Sequence, residues 1–165
     1  MLVIGIDPGT ATTGYGLVRE ERDGTLTAIA YGVVSTPAGV EMPKRLVQLH
    51  AELTQIIALH RPESGAVEKL FFQKNVKTAI TVAQGRGVAL LALAQAGIAV
   101  GEYTPLEVKS SVVGYGNADK GQVQQMVRAL LALEKIPKPD DAADALAIAI
   151  CHLHNVKAQS WYLEQ

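Results

Sequence analysis

Three short apolar segments joined by tight turns constrain the fold of this chain more than any other feature. The turns are Asp7-Pro8-Gly9 and Asp23-Gly24, and the segments span Leu2–Asp7, Thr13–Arg19 and Leu26–Val34. Turn residues of this kind connect neighbouring strands within a few residues, and such short connections favour antiparallel pairing. The opening part of the chain therefore predicts an antiparallel meander.

Helical and strand patterns alternate after the meander. The helices are predicted from apolar residues recurring every three or four positions, and the strands from short apolar runs bounded by turn residues. The predicted elements are a helix over 43–60, a strand over 65–68, a helix over 76–96, a strand over 98–103, and helices over 106–113, 120–133 and 140–154. A meander followed by this alternation predicts an α/β domain with a mixed sheet.

Composition narrows the class of protein. The chain has 165 residues, of which 48% are hydrophobic and 19% charged, which suits one domain with a real core and excludes wholesale disorder. No apolar run reaches the ~18–20 residues of a membrane span, so no membrane association is predicted. Its single cysteine, Cys151, cannot form an internal disulfide, and we predict a cytoplasmic location. A formal charge of −1 excludes a generic polycation that coats nucleic acid.

Four acidic residues stand out by their positions. Asp7 and Glu68 each end an apolar strand, while Asp141 and Asp144 lie three apart on one face of the last helix. That helix is otherwise rich in Ala, Leu and Ile, and burying carboxylates there is costly unless a cation meets them. Paired carboxylate oxygens suit hard divalent ions such as Mg²⁺ or Mn²⁺, so the pattern indicates a metal site.

Each acid also has an ordinary structural explanation when it is taken by itself. Asp141 fits a helix cap, Asp7 fits a turn former ahead of Pro8-Gly9, and acids such as Glu68 are common at strand ends. His152 and His154, near the end of the last predicted helix, are interpreted as partners of the helix dipole. The metal-site hypothesis therefore depends on the four carboxylates acting together.

Several short motifs occur in a recognisable order across residues 1–155. They are GIDPGT at 5–10, TGYG at 13–16, VE at 67–68, FF at 71–72, KN at 74–75, QGRG at 84–87, YTP at 103–105, VK at 108–109, GYG at 114–116, ADK at 118–120 and DAADALA at 141–147. This ordered set resembles the RuvC family of Holliday junction resolvases and leaves 156–165 as an unmatched C-terminal tail. Gly85 stands where the family resemblance predicts alanine.

The resemblance implies a ribonuclease H-like nuclease domain over 1–155, with a five-stranded mixed sheet flanked by helices on both faces. It implies a catalytic, metal-binding tetrad of Asp7, Glu68, Asp141 and Asp144, holding two Mg²⁺ or Mn²⁺ ions per active site. It further implies a homodimer that resolves four-way DNA junctions by paired symmetric nicks in recombination and repair. The RuvA-RuvB branch-migration machinery is the implied partner.

The resemblance also indicates which residues meet DNA. Residues 69–128 carry seven basic and three acidic side chains, which can give phosphate contacts near a metal site. Phe71 is expected to stack on a base, and its neighbour Phe72 to pack in the core. The full set of predicted DNA contacts is Phe71, Lys74, Asn75, Lys77, Arg86, Lys109 and Lys120.

Two other functions fit parts of the sequence. Actin-like ATPases and sugar kinases also open with an Asp-x-Gly-Thr turn, but they need two such domains around a nucleotide. A non-catalytic junction-binding module is the second alternative, and the presence of all four carboxylates disfavours it. Within the resolvase hypothesis, the Ala/Gly-rich helix over 76–96 is predicted at or beside the dimer interface, with Ala89 and Ala92 on that face.

Overall fold

The computed structural model describes residues 1–69 and 76–163, with side chains described for 1–69 and 78–157. These residues form one mixed sheet with helices on both faces, which confirms the predicted α/β class. The strands are β1 (Leu2–Asp7), β2 (Thr12–Glu20), β3 (Leu26–Ser35), β4 (Ser64–Glu68) and β5 (Val100–Tyr103). The helices are α1 (Met42–His60), α2 (Val76–Gln95), α3 (Pro105–Val113), α4 (Lys120–Leu130) and α5 (Asp140–Leu163).

The sheet has five strands in the order β3-β2-β1-β4-β5. β1, β2 and β3 pair in an antiparallel meander, as predicted, whereas β4 runs parallel to β1 and β5 parallel to β4. Because β1 and β4 are parallel neighbours, their carboxyl ends meet at the same edge of the sheet. That edge carries Asp7 and Glu68.

Two apolar cores lie on opposite faces of the sheet. One joins the sheet to α3, α4 and α5, with Val108, Val127 and Leu146 among its buried residues. The other joins the sheet to α1 and α2 through residues that include Leu53 and Leu93. At the carboxyl-end edge of β1, the turn after Asp7 contacts Gly85 of α2 from one layer. Gly14 of the neighbouring strand β2 contacts Asp141 at the start of α5 from the other layer.

Glycines in the central strands let α5 lie close to the sheet. A Cβ at Gly5 would collide with the backbone of α5 at Ala145 and Ala149, and one at Gly14 with the backbone of Asp141. Strand glycines of this kind mark places where another backbone approaches. The first turns of α5 are therefore held directly over the end of β1.

Apart from shifts of one to three residues at the ends of several elements, two sequence predictions differ from the structure. The last helix does not end near His154, since α5 continues to Leu163 and the predicted tail begins within it. His152 consequently lies inside the helix rather than at its end. It is 5% exposed and hydrogen-bonded to Ser64 Oγ at 2.6 Å and to Tyr103 Oη at 2.9 Å, so it links the sheet to α5.

The second difference concerns the Ala/Gly-rich helix. Ala89 and Ala92 are 0% and 2% exposed and pack in the α1–α2 core, so they do not form an outer surface for a partner. The outward face of α2 carries other residues. Within the described residues, no helix is both long and apolar enough to cross a membrane.

Candidate active site

The four predicted carboxylates come together at one edge of the sheet. Asp7 and Glu68 are the last residues of the adjacent parallel strands β1 and β4. Asp7 pairs with Gly14 across β1 and β2, and Gly14 lies against the backbone of Asp141. Asp144 follows one turn later on α5. Sheet register and close helix packing thus bring together residues that are 134 or more positions apart in β1 and α5.

The pKa of Asp7 reflects the other three carboxylates. Burial raises the pKa of Asp7 to about 8, and the carboxylates of Glu68, Asp144 and Asp141 add to the effect in that order. Lys120 acts in the opposite direction. A carboxyl group with this pKa holds a proton near neutral pH unless a cation replaces it.

The pKa values of Glu68 and Asp144 are also raised by burial. Burial, followed by repulsion from Asp144, raises the pKa of Glu68 to about 6, and Lys109 opposes this rise. Burial also raises the pKa of Asp144, although a hydrogen bond from Lys120 favours its charged form. The site therefore concentrates negative charge in a partly buried place, which is costly without a compensating cation.

A cavity of about 250 Å³ opens beside Glu68 and Asp144. Lys109 and Lys120 line it, together with apolar residues of α3, α4 and α5. Both lysines lie on helices with well-defined starts: Thr104 and Glu107 form a capping box at α3, and Asp119 and Gln122 form one at α4. Such caps fix where a helix begins, and hence where its first turns point their side chains.

Lys120 bridges two acids at the start of α5. Its Nζ lies 3.0 Å from Asp144 and 3.4 Å from Asp140, and Asp140 also accepts from Lys138 at 2.7 Å. Partial burial acts to lower the pKa of Lys120, but Asp144 and Asp140 outweigh it and the net shift is upward. Lys120 is therefore a positive charge held at the carboxylate cluster.

The turn that follows Asp7 is held from three sides. Buried Thr13 donates to the carbonyl of Gly9 at 2.5 Å, and buried Thr36 donates to the carbonyl of Thr10. Gly85 of α2 packs on the same turn, because a Cβ there would stand 2.5 Å from the Gly9 oxygen. This close approach accounts for glycine inside α2 at position 85, whereas a Cβ at Gly87 would meet nothing within 4 Å.

Unlike Lys109 and Lys120, the other predicted DNA contacts do not line the cavity beside the carboxylates within the described residues. Phe71, Lys74 and Asn75 lie outside the described residues, and so does the side chain of Lys77. Arg86 is turned inward: its Nε donates to the main-chain oxygen of Glu68 at 3.0 Å, and its Nη2 pairs with Glu102. Sequence reasoning did not identify Thr13, Thr36 or Gly85 as neighbours of the site, although TGYG at 13–16 is part of a recognisable motif.

The candidate metal ligands are all carboxylate oxygens, which are the ligands that hard divalent cations prefer. Among the described residues, no three His, Cys, Asp or Glu side chains form a ready-made metal-binding group. The carboxylates would therefore supply only part of each coordination shell. Mg²⁺ in particular keeps several waters and is bound through one or two carboxylates plus substrate phosphate oxygens, so this partial set is appropriate for it.

A mixed sheet in this order, with acids at the ends of two parallel strands and on the helix packed over them, is the architecture of the ribonuclease H-like class of proteins. The family model described as "Crossover junction endodeoxyribonuclease RuvC" matches residues 3–152. The chain belongs to the RuvC family, whose members are divalent-metal-dependent endonucleases.

Relatives and solved structures agree with this assignment. The chain is 58% identical to crossover junction endodeoxyribonuclease RuvC of Syntrophomonas wolfei, covering 98% of this chain and 93% of the relative. It is 62% identical to the protein of the same name from Chloroflexus aurantiacus, covering 93% of each. Thermus thermophilus RuvC in complex with a Holliday junction substrate superposes with a TM-score of 0.91 at 35% identity, covering 96% of each chain.

Proposed function

We propose that this protein resolves four-way DNA junctions by cutting two strands at symmetric positions, in recombination and DNA repair. The observation that carries the proposal is the meeting of Asp7, Glu68, Asp141 and Asp144 at one edge of the sheet in a chain of the RuvC family. The likeness to a relative solved with a Holliday junction supports the choice of substrate.

The chemistry is proposed to use two Mg²⁺ or Mn²⁺ ions per site. When bound, such ions supply an activated water and stabilise charge on the leaving oxygen of a phosphodiester. Asp7 would be the central metal ligand of the set, because it ends a central strand and its pKa responds to each of the other three carboxylates. Glu68, Asp141 and Asp144 complete the protein's share of the oxygen ligands.

The lysines beside the carboxylates are proposed to hold the scissile strand. Lys109 and Lys120 line the cavity next to Glu68 and Asp144, where a phosphate placed near the carboxylates would meet them. Lys74, Asn75 and Lys77 remain proposed DNA contacts on the strength of the family motif, and Phe71 remains the proposed stacking residue.

A homodimer would provide two active sites for the two cuts. The outward face of α2 is the proposed dimer interface. This face, which we call the α2 stripe, has spacings of four and three residues, the pattern of a helix-pairing seam. Ile80 and Leu91 in it are 55% and 50% exposed, and nothing lies within 4 Å of a Cβ at Gly87. The α2 stripe consists of Ile80, Gln84, Gly87, Leu91 and Ala94, all exposed in the single chain.

The proposed cellular setting follows the family. We propose that the dimer acts with the RuvA-RuvB branch-migration machinery in the cytoplasm. Cys151 is a free, buried thiol whose pKa is raised to about 11 by burial, so it fits a packing role in a reducing compartment.

The test is cleavage of a synthetic four-way junction by the purified protein with Mg²⁺ or Mn²⁺. Linear duplex of the same sequence is the control substrate, and EDTA is the control for metal. We expect paired nicks in opposing strands of the junction and no cutting of the duplex. Equal cutting of both substrates would contradict the proposed selectivity, and binding of the junction without cutting would indicate a non-catalytic module.

A further inference from the structure

Arg86 of α2 reaches the main chain of a proposed catalytic residue. Its Nε donates to the carbonyl oxygen of Glu68 at 3.0 Å, and its Nη2 forms an ion pair with Glu102 on β5. The arginine side chain is only 17% exposed. One edge of the guanidinium thus holds β4 at Glu68 and its neighbour β5 at the same time.

Glu68 lies at the end of the hydrogen-bonded part of the sheet. The β1–β4 ladder ends with Ile6 opposite Val67, one residue before Glu68. On the other side, Glu68 pairs with Tyr103, the last residue of β5. A donor fixed on the Glu68 carbonyl therefore restrains the backbone that aims its carboxylate at Asp7 and Asp144.

The same geometry argues against a phosphate contact for this arginine. Its charge is compensated by Glu102, and its Nε is engaged by the Glu68 carbonyl. Arginine suits this place because its planar fork presents two donors along one edge, whereas lysine presents a single point charge. A lysine at this position would keep the positive charge but could not reproduce both bonds.

We propose that Arg86 is a positioning residue that acts through Glu68, not a DNA-binding residue. This proposal rests on the proposed nuclease function. It extends the site to α2, the helix that also packs Gly85 against the turn following Asp7. One two-residue segment of α2 therefore restrains the backbone at both strand-end acids.

The test compares Arg86→Lys and Arg86→Gln with the unmodified protein. Arg19→Gln is the matched control, because it removes the same charge from an exposed arginine that pairs with Leu2 at the opposite end of β1. Three quantities are measured: affinity for a labelled four-way junction in EDTA, single-turnover cleavage rate at saturating protein, and Mn²⁺ binding by calorimetry without DNA. Thermal melting checks that each variant is folded.

We expect both Arg86 variants to cut about 10–100-fold more slowly and to bind Mn²⁺ more weakly, as for other residues that orient a metal ligand. Their junction affinity should stay within about twofold of the unmodified protein, since no phosphate contact is lost. Arg19→Gln should match the unmodified protein in cleavage and in Mn²⁺ binding. Arg86→Lys should cut no faster than Arg86→Gln.

Two outcomes would overturn the proposal. The first is an Arg86→Lys protein that cuts at the normal rate while Arg86→Gln loses junction affinity, since charge would then be what matters. The second comes from Glu102→Gln, which leaves the Glu68 hydrogen bond in place: if this change tightens junction binding in the unmodified protein but not in an Arg86→Gln background, Arg86 itself contacts phosphate. Absence of cleavage by the unmodified protein would contradict the proposed function instead.

Discussion

The backbone of Asp141 packs against Gly14 at the point where any other residue would carry its side chain. Gly14 is also the β2 partner of Asp7, so one glycine joins the strand that carries the first acid to the helix that carries two others. Because α5 can approach this closely only over glycine, the spacing of the carboxylates is set by backbone contact. Position 14 is therefore part of the active-site geometry although it carries no chemistry.

Replacing Gly14 with alanine should damage both the fold and the site. The new methyl group would collide with the main chain of Asp141, which is held within α5. We expect a loss of ~1–3 kcal/mol in the free energy of unfolding, as for overpacked cores, together with slower junction cleavage. Gly39→Ala is the control, because a Cβ there meets nothing within 4 Å. Denaturant titration compares the two, and equal stabilities would refute the account.

Asparagine at position 7 should separate binding from cutting. Asn keeps the shape of Asp but removes the charge that a divalent cation needs, so Asp7→Asn should lose detectable cleavage. Junction affinity should be retained near neutral pH, where metal-free Asp7 is already uncharged, and without metal it should tighten only above about pH 8, where the unmodified protein carries a negative charge at Asp7. Gel-shift and single-turnover assays on the same preparation measure both effects. Near-normal cleavage by Asp7→Asn would contradict the metal-ligand assignment.

Metal-free protein should become less stable as the pH rises. Burial first, then the neighbouring carboxylates, raises the pKa of Asp7 from 3.8 to about 8. Between these values the folded protein keeps a proton that the unfolded chain releases, so the free energy of unfolding falls with increasing pH. Melting in EDTA should show this decline, and Asp7→Asn should flatten it, with its advantage greatest near pH 8. An advantage that is the same at pH 5 and pH 8 would show that titration of Asp7 is not the cause.

Leu91→Glu should weaken the proposed dimer. Leu91 lies in the α2 stripe and is 50% exposed in the single chain, so a charge there would oppose association while leaving the fold intact. Leu59→Glu is the control, because Leu59 on α1 is 75% exposed and lies outside the stripe. Sedimentation at micromolar concentration should detect dimers of the control and monomers of Leu91→Glu. A monomeric unmodified protein, or an unaffected Leu91→Glu dimer, would exclude this interface.

Phe71 and Phe72 should differ in their effects. Phe71→Ala should lower junction cleavage well beyond any loss of affinity. The reason is that stacking of an aromatic side chain on a base, which contributes ~1–3 kcal/mol per base, would help to hold the centre of the junction open. Phe72→Ala should instead lower stability, by ~3–5 kcal/mol for a core phenylalanine. Thermal melts and single-turnover cleavage distinguish the two residues. The opposite pattern would exchange their roles.

Much of the fold could be predicted from the sequence because it depends on local signals. Turn dipeptides fixed the meander, and the helix starts at Pro105 and Lys120 follow from caps at Thr104 and Asp119. The predicted end of the last helix was wrong. The apolar pattern of the sequence weakens after His154, whereas α5 continues to Leu163. Nothing in the local sequence marks that boundary, and boundaries of this kind depend on the surrounding structure.

Contacts between distant elements were the part that sequence patterns could not supply. Small residues on α2 predict a close approach but do not say to what, and Ala89 and Ala92 proved to face the core. Likewise, the basic Arg86 in the QGRG motif predicts a DNA contact, but the sequence does not show that its side chain contacts the Glu68 carbonyl and Glu102 within the chain. The four carboxylates could be singled out as a candidate site from the sequence, because acids in apolar elements are themselves unusual.

The two faces of α2 have a consequence for inhibition. One face contacts the turn after Asp7 through Gly85 and the Glu68 carbonyl through Arg86, and the α2 stripe lies on another face of the same helix. A small molecule seated along the stripe would shift both strand-end acids by displacing the helix, without approaching the carboxylates themselves. Such a compound would occupy a different site from DNA and metal, but because it moves the proposed metal ligands it would weaken metal binding, and by the same coupling excess metal would oppose its effect.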